Sequence, residues 1–297
     1  SLGLVGSEMC IRDSTPLAAF DAPASGRMAV AEAITNLLAA PFELSRVKLS
    51  ANWMAACGES GEDAALYRTV EAVGLELCPA LGISIPVGKD SLSMRTQWKD
   101  ADGAARKVTA PVSLIVSAFV TLADVRGTLT PQLEAESDTT LILVDLGAGQ
   151  HRMAGSVLAQ ALGQEGTDVP DLDDPQDLVH LVDAVNALRA QGKLLAYHDR
   201  SDGGLLAAVA EMAFAGHVGV ALNVDMLITE GDGISDSRME TGDSKNWAQQ
   251  VSGRREELTL KALFCEELGA VLQVRTEERD AVLRTLREHG LGRLTHV

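Results

Sequence analysis

The sequence of 297 residues is poor in aromatic side chains and in cysteine, and it has no long apolar run. Aromatic residues make up 3% of the chain, so the core has to be built from Leu, Val, Ile and Ala. Four scattered cysteines without a C-x-x-C pair do not make a disulfide framework, which favours a reducing cytoplasm. The longest apolar run, 112–123, is too short for the roughly 20 residues that span a bilayer and predicts a buried strand.

Basic residues are also few. The chain has 25 Lys and Arg against 42 Asp and Glu, a formal net charge of −17. A field of this sign repels phosphate backbones, so it argues against nucleic acid as the main ligand. It does not exclude one small phosphate-bearing ligand, because Lys side chains, Gly amides and Mg²⁺ can offset the net charge locally.

The first 14 residues differ from the rest of the chain. They have neither the positive start nor the apolar segment of a signal peptide. They resemble translated sequencing-adapter read-through, so we expect residues 1–14 to be an artefact and disordered. The alternative is a natural, disordered amino terminus. The last residues, GLGRLTHV, stop without a tail, and both ends favour a piece of a larger protein.

Hydrophobic periodicity predicts two α/β units of the α+β or α/β class. The first, residues 15–122, ends at a polar linker over 123–139, and the second covers 140–297. In the first unit we expect helices at 27–40 and about 61–79, and strands at 46–51, 83–87, 91–98 and 112–122. In the second we expect helices at 153–162, 175–191, 205–216 and 277–290, strands at 141–147, 194–198, 218–224 and 270–274, and a polar loop at 227–256.

The most informative string is HDRSDGG (198–204), a turn between an apolar strand and an apolar helix. Asp199 and Asp202 are hard oxygen ligands suited to Mg²⁺, and Ser201 can donate to a phosphate. Gly203 and Gly204 allow a ligand to approach the backbone at a helix amino terminus. The same pattern also fits a simple helix cap, and the spacing alone does not separate the two interpretations.

Glu32 and Asn36 lie four residues apart in a helix that is otherwise almost wholly apolar. They project from the same face and could share a metal ion. The alternative interpretation is a solvated stripe on an amphipathic helix.

The string PVGKDSLSM (86–94) places Gly88, Lys89 and Ser91 in a predicted turn between two strands, where they could hold a phosphate. An ordinary hairpin turn is the alternative. The string 86–94 is not a P-loop, because the pattern G-x-x-x-x-G-K-[ST] is absent. Asn52, in the loop that follows strand 46–51, could also face a ligand.

Other catalytic motifs are missing. The string LGAGQHRMAG (146–155) lacks the glycine spacing of a dinucleotide-binding turn. There is no G-x-S-x-G elbow and no H-E-x-x-H pair.

Many strings of the chain together resemble one family. In chain order they are EAITN, LSANWMAA, GEDA, IPVGKDSLSM, VTAPVSL, TLTPQL, HDRSDGGL, AEMAFAGH and EELGA. They resemble phosphoribosylformylglycinamidine synthase (FGAM synthase, FGAR amidotransferase) in its large single-chain form. The likeness covers nearly all of residues 15–297 except the loop near 227–256.

The resemblance implies a fold and a reaction. The fold would be the second-half repeat of an aminoimidazole-ribonucleotide-synthetase-like (AIR-synthetase-like) structure with two mixed-sheet domains. The reaction would be the ATP- and glutamine-dependent conversion of formylglycinamide ribonucleotide to its amidine, a ligase step of purine biosynthesis. It implies Mg²⁺ and ATP or ADP as cofactors, with no nucleic acid or membrane as partner.

The resemblance also implies roles for named residues. Glu32, Asn36 and Asp199 would hold Mg²⁺, and Ser201 would contact the nucleotide. By analogy with smaller relatives, Gly88, Lys89 and Ser91 would face a nucleotide or substrate phosphate.

The chain also departs from the family. It corresponds to the second half of a duplicated synthase, so most catalytic residues would lie in the missing first half and in a missing C-terminal glutaminase. We therefore expect a fragment without amidotransferase activity on its own. The alternatives are a non-catalytic nucleotide-binding scaffold half, or another AIR-synthetase-like ATP-dependent enzyme.

Overall fold

The computed structural model describes residues 6–12, 14–135, 138–166, 168–230 and 244–297. Four strands of this part of the chain form a first sheet: β1 (Gly6–Arg12), β2 (Lys48–Met54), β3 (Ser84–Ser91) and β6 (Ser113–Leu122). Their order is β1–β6–β2–β3. The sheet is mixed, because β2 and β3 run parallel while β1 and β2 pair antiparallel with β6.

Helices cover one face of the first sheet. The long helix α2 (Ala22–Leu37) follows the short α1 (Thr15–Ala18) and begins at Asp21, whose carboxylate accepts a hydrogen bond from the amide of Ala24 at 2.9 Å. A second helix, α3 (Glu62–Glu71), continues through a π-helical turn (Ala72–Leu77) into α4 (Cys78–Leu81). Alternate residues of β6 are buried on this face: Leu114, Val116, Ala118, Val120 and Leu122.

The second sheet consists of β7 (Thr139–Asp145), β8 (Ala196–Arg200), β9 (Gly269–Arg275) and β10 (Thr295–His296). Its order is β10–β7–β9–β8, and all neighbouring strands pair antiparallel. Helices of this part are α5 (Val157–Ala161), α6 (Pro175–Ala190), α7 (Gly204–Gly216), α8 (Asp225–Glu230), α9 (Ser244–Phe264) and α10 (Arg279–Glu288). Single 3₁₀ turns lie at Leu44–Arg46, Thr276–Glu278 and Gly292–Leu294.

One hydrophobic core joins the two sheets. It contains Leu37 of α2 and Val116 of the first sheet, together with Ile142 and Leu272 of the second sheet and Val185 of α6. The opposite face of the second sheet packs on a separate cluster formed with α7, α8 and α9. Among the described residues, we find no helix with the length and apolar character needed to cross a membrane.

Several predicted elements are confirmed. The helices expected at 27–40, 175–191, 205–216 and 277–290 correspond to α2, α6, α7 and α10. The strands expected at 112–122 and 270–274 correspond to β6 and β9. The division of the chain at a linker over 123–139 stays a prediction.

Two predictions in the first unit are wrong. Residues 6–12 were expected to be disordered, whereas they form β1 and pair with β6 from Gly6 opposite Leu122 to Arg12 opposite Val116. The segment 88–91 was expected to be a turn, whereas it is the end of β3. The Asp102–Gly103 pair, a typical turn dipeptide, does form a turn, between the hairpin strands β4 (Arg95–Lys99) and β5 (Ala105–Thr109).

Two predictions in the second unit are also wrong. Residues 218–224 alternate as a strand would, but they form neither a strand nor a helix. The predicted polar loop at 227–256 contains most of α8 and the first part of α9. Its middle, 231–243, lies outside the described residues.

Candidate functional site

Two candidate ligands from distant parts of the chain meet where α2 contacts β8. The side-chain amide of Asn36, near the end of α2, donates a hydrogen bond of 3.4 Å to a carboxylate oxygen of Asp199 in β8. Asp199 is 4% exposed, and Asn36 is half-buried. The structure therefore brings together two of the three residues expected to bind a metal.

Glu32, the third of them, lies one turn before Asn36 on α2. It is 7% exposed, on a helix whose residues are buried along almost its whole length. The alternative interpretation, a solvated stripe, is wrong for Glu32, which is buried, whereas Asn36 is half-buried.

The imidazole of His198 lies beside Asp199. Its Nδ1 is 2.6 Å from the main-chain oxygen of Asp199, and its Nε2 is 2.8 Å from a carboxylate oxygen of Glu211 in α7. Burial by itself would lower the pKa of His198, but the hydrogen bonds to Asp199 and Glu211 outweigh it and raise the pKa to about 9. An imidazolium at this place offsets part of the negative charge of the carboxylates.

Arg200 fixes the end of β8 from the inside of the protein. It is 1% exposed, and its Nε donates to the carbonyl of Glu267 at 2.6 Å while Nη2 donates to the carbonyl of Leu268 at 2.9 Å. The same Nη2 forms an ion pair with the buried carboxylate of Asp145. Asp199 and Ser201 therefore flank a residue that is bonded to the end of β7 and to the segment just before β9.

The turn after β8 leads directly into α7. The amide of Gly204 donates to the carbonyl of Ser201 at 2.9 Å, which closes the turn. Gly203 caps the helix with a φ of +79°, a conformation that favours glycine. The glycines therefore form the turn, but no side chain caps α7, so the cap does not use the hydroxyl of Ser201 or the exposed carboxylate of Asp202.

A glutamate binds the amino end of α7. One carboxylate oxygen of Glu266 accepts hydrogen bonds from the amides of Gly203 and Val157, each at 2.8 Å. Burial raises the pKa of Glu266, with the hydrogen bonds opposing it and the charge of Asp202 adding to it. Two helices, α5 and α7, are thus joined at their amino termini by one carboxylate.

The remaining candidates lie together on the first sheet. In the parallel register of β2 and β3, Asn52 pairs with Lys89 and Met54 with Ser91. Side chains alternate along a strand, so Asn52, Lys89 and Ser91 share one face. A Cβ on Gly88 would lie 2.2 Å from the carbonyl oxygen of Ala51, so only glycine allows the strands to pair this closely here.

These residues form a second group, separate from Asn36 and Asp199. Ala51 is buried in the core that contains α2, so the neighbouring Asn52 points to the opposite face of the sheet. Its side-chain oxygen is buried and accepts no hydrogen bond from the described part of the chain. A buried acceptor without a donor is costly, and a donor on a ligand would satisfy it.

The first group has the chemistry of a site for a hard cation. Glu32, Asn36 and Asp199 offer two carboxylates and one amide, the oxygen ligands that Mg²⁺ takes in proteins. No group of three or more His, Cys, Asp and Glu within the described ranges fits a metal ion. Phosphate oxygens or water would therefore complete the coordination, as is usual for Mg²⁺.

Sequence reasoning missed the residues that support this site. Glu211, Glu266, Asp145 and the ion pair of Arg200 carry no motif that assigns them a role. Arg200 and Glu266 stand within the strings HDRSDGG and EELGA, and these strings were the available signal.

Two protein-family models match the chain, one over each of its two units. The FGAR-AT PurM_N-like domain matches residues 2–121, and the C-terminal domain of AIR synthase related proteins matches residues 138–297. The second match alone covers more than half of the chain.

Solved structures share the fold. PurL of Thermotoga maritima complexed with FGAR has a TM-score of 0.65 at 13% identity, over 99% of this chain and 41% of that one. The same protein complexed with ATP has a TM-score of 0.57 at 12% identity, over 98% and 39%. HypE of E. coli has a TM-score of 0.56 at 18% identity, over 99% and 78%. This chain thus spans about two fifths of the PurL chains, and it has the AIR synthase-like fold that the sequence predicts.

Proposed function

The chain belongs to the family of AIR synthase related proteins, and from this membership we propose that it is the second half of an FGAM synthase region. In this role it binds ADP or ATP together with Mg²⁺ and contributes to the conversion of formylglycinamide ribonucleotide to the amidine. The match of residues 2–121 to an FGAR-AT domain model and the likeness to PurL support this proposal. The short coverage of the PurL chains supports a part rather than a whole enzyme.

The observation that carries the proposal is the contact between Asn36 and Asp199. These residues are 163 positions apart in the chain, and their side chains meet at 3.4 Å in a largely buried place. Glu32, one turn before Asn36, adds a second carboxylate to a helix that is otherwise apolar. Buried polar groups of this kind are costly unless they are paired or bind a ligand.

The residues have separate tasks in the proposed site. Glu32, Asn36 and Asp199 would hold Mg²⁺, which neutralises phosphate charge when it is bound. Ser201, two residues after Asp199, would donate its hydroxyl to the nucleotide. Lys89, Ser91 and Asn52, with the close backbone at Gly88, would bind a phosphate or a polar group on the other face of the first sheet.

Isothermal calorimetry with ADP and Mg²⁺ tests the site in the 297-residue chain. We expect Asp199→Asn and Glu32→Gln each to weaken ADP–Mg²⁺ at least about tenfold, since each removes a charged ligand of the cation. The exposed Asp183 of α6 supplies the control, because Asp183→Asn changes the net charge equally at a residue outside the proposed site. Equal affinities in all four proteins would refute the assignment.

A second candidate is another ATP-dependent enzyme of the same fold. HypE favours it, because this chain covers 78% of that protein at a higher identity than it has to PurL. A whole enzyme of this kind would not need another synthase half. A third candidate is a scaffold half that binds a nucleotide without a catalytic role.

Turnover separates these candidates. With formylglycinamide ribonucleotide, ATP and ammonia, we expect no amidine product from this chain alone. Product formation by the isolated chain would contradict its proposed role as an incomplete half. In a full-length enzyme, Asp199→Asn abolishes activity if the nucleotide is catalytic and lowers only stability if the nucleotide is structural.

A further inference from the structure

Glu266 occupies a position that normally attracts anions. The amino end of a helix carries unpaired amides and a partial positive charge, so phosphates often bind there. In α7 a protein carboxylate takes this place, because Glu266 accepts the hydrogen bond of Gly203 at 2.8 Å. A second bond of 2.8 Å, from the amide of Val157, fixes the same oxygen.

The bound carboxylate is next to the proposed nucleotide site. Gly203 is two residues from Ser201 and four from Asp199, and the turn between them is closed by the bond from Gly204 to Ser201. Asp202, exposed in the same turn, adds another negative charge close enough to act on Glu266. A phosphate that reaches Ser201 therefore approaches a turn that carries the exposed carboxylate of Asp202 and whose Gly203 amide is already bonded to Glu266.

We infer that Glu266 is a specificity-determining residue that makes this site accept metal-bound nucleotides and reject free ones. The inference rests on the proposed function and adds to it the form in which the nucleotide binds. A free diphosphate is repelled by Glu266 and Asp202, whereas His198 offsets part of the charge of Asp199. A diphosphate that carries Mg²⁺ is largely neutralised, so it loses little by the presence of Glu266.

The chain offers an isosteric test of this charge. Glu266→Gln keeps a side-chain oxygen that can accept from Gly203 and Val157, but removes the negative charge. Glu277→Gln is the matched control, because Glu277 is exposed and follows the far end of β9, whereas Glu266 precedes its near end. The seven residues of β9 separate the two sites by about 20 Å.

The experiment is calorimetry of ADP in Mg²⁺ and of ADP in EDTA, with the 297-residue chain and its variants. In Glu266→Gln we expect metal-free ADP to bind about fivefold to tenfold more tightly, while ADP–Mg²⁺ changes less than about twofold. Glu277→Gln should leave both affinities unchanged. Asp202→Asn, at an exposed position that keeps the fold intact, should shift metal-free ADP in the same direction by about twofold.

The outcomes separate the two proposals. If ADP–Mg²⁺ binds to the wild type but the ratio of the two affinities stays the same in Glu266→Gln and Asp202→Asn, the role of Glu266 is refuted and the nucleotide site stands. If ADP–Mg²⁺ binds to none of the proteins, the proposed function is refuted and the role of Glu266 falls with it. If Glu266→Gln does not fold, an unchanged affinity of Asp202→Asn for metal-free ADP refutes the repulsion of free nucleotide at this turn.

Discussion

The hydroxyl of Tyr197 donates a hydrogen bond of 2.6 Å to the carbonyl oxygen of Thr35. Both residues are buried, Tyr197 in β8 and Thr35 in α2. Tyr197 directly precedes His198 and Asp199 in the chain, and Thr35 directly precedes the candidate ligand Asn36. This bond therefore joins the helix and the strand that carry the candidate metal ligands.

We expect Tyr197→Phe to lower the free energy of unfolding by about 1–2 kcal/mol, because a buried carbonyl loses a donor. Urea denaturation measures the loss. Tyr67→Phe is the matched control, since Tyr67 is 68% exposed and its hydroxyl is in solvent. Equal stability of the two variants would show that the bond between α2 and β8 contributes nothing.

The buried ion pair of Arg200 and Asp145 gives a second prediction. Burial would raise the pKa of Asp145, but the charge of Arg200 outweighs it and holds the pKa below its ordinary value. Asp145→Asn leaves a buried guanidinium without its counter-charge, so we expect a loss of about 3–5 kcal/mol in the free energy of unfolding. Thermal and urea unfolding measure this loss.

Asp124→Asn is the control for this ion pair. Asp124 binds Arg126 on the surface, where solvent screens an ion pair and little stability depends on it. The contribution of Asp145 should be present above the ordinary pKa of an aspartate and disappear as the pH falls through the lowered value. Similar losses in Asp145→Asn and Asp124→Asn would contradict the importance of the buried pair.

Adding a methyl group at Gly88 and at Gly74 should change the stability in opposite directions. In Gly88→Ala the new Cβ would lie 2.2 Å from the carbonyl oxygen of Ala51, so β3 has to move away from β2. We expect a loss of about 1–3 kcal/mol in stability. Gly74→Ala should instead gain about 0.5–1 kcal/mol, because Gly74 is helical with nothing within 4 Å of the new atom.

The same glycine shows why part of the fold could not be predicted. Gly, Lys, Asp and Ser are turn residues by local preference, so 88–91 was predicted as a turn. The parallel register with β2 makes it a strand, and that register depends on residues about 40 positions away. Local sequence does not contain this information.

The two errors after α7 have a similar origin. Residues 218–224 alternate as a strand would, but they pair with neither β8 nor β10, the strands at the two edges of the second sheet. The polar composition of 244–256 suggested a loop, whereas α9 is held by the buried Leu258 and Ala262 near its end. Helices with a regular apolar stripe, such as α6, were predicted correctly because their own sequence contains the signal.

Part of the candidate site could likewise be predicted from the sequence, and part could not. The spacing of Glu32 and Asn36 predicts one helix face, and the string of Asp199 and Ser201 predicts one turn. Only the packing of α2 on β8 brings Asn36 to Asp199. Arg200 bonds the end of β7 and the segment before β9, and Glu266 bonds the amino ends of α5 and α7, which no pattern in one segment can show.

The last prediction concerns the pH dependence of His198. Its pKa is raised from 6.5 to about 9, because the hydrogen bonds to Asp199 and Glu211 outweigh burial. Because the pKa of His198 is higher in the folded protein than in the unfolded chain, protonation stabilises the fold. This stabilisation is complete at a pH below 6.5, and it is lost as the pH rises through about 9. Without added metal, the free energy of unfolding should therefore fall between neutral and mildly alkaline pH.

A proton NMR titration of the His198 ring reports the pKa directly, and urea denaturation at several pH values reports the stability. In Glu211→Gln the ring loses one anionic partner, so its pKa should fall and the stability profile should become flatter. Glu277→Gln, at an exposed glutamate away from the ring, should keep the wild-type profile. A His198 ring that titrates near 6.5 in the wild type would show that Asp199 and Glu211 do not hold an imidazolium between them.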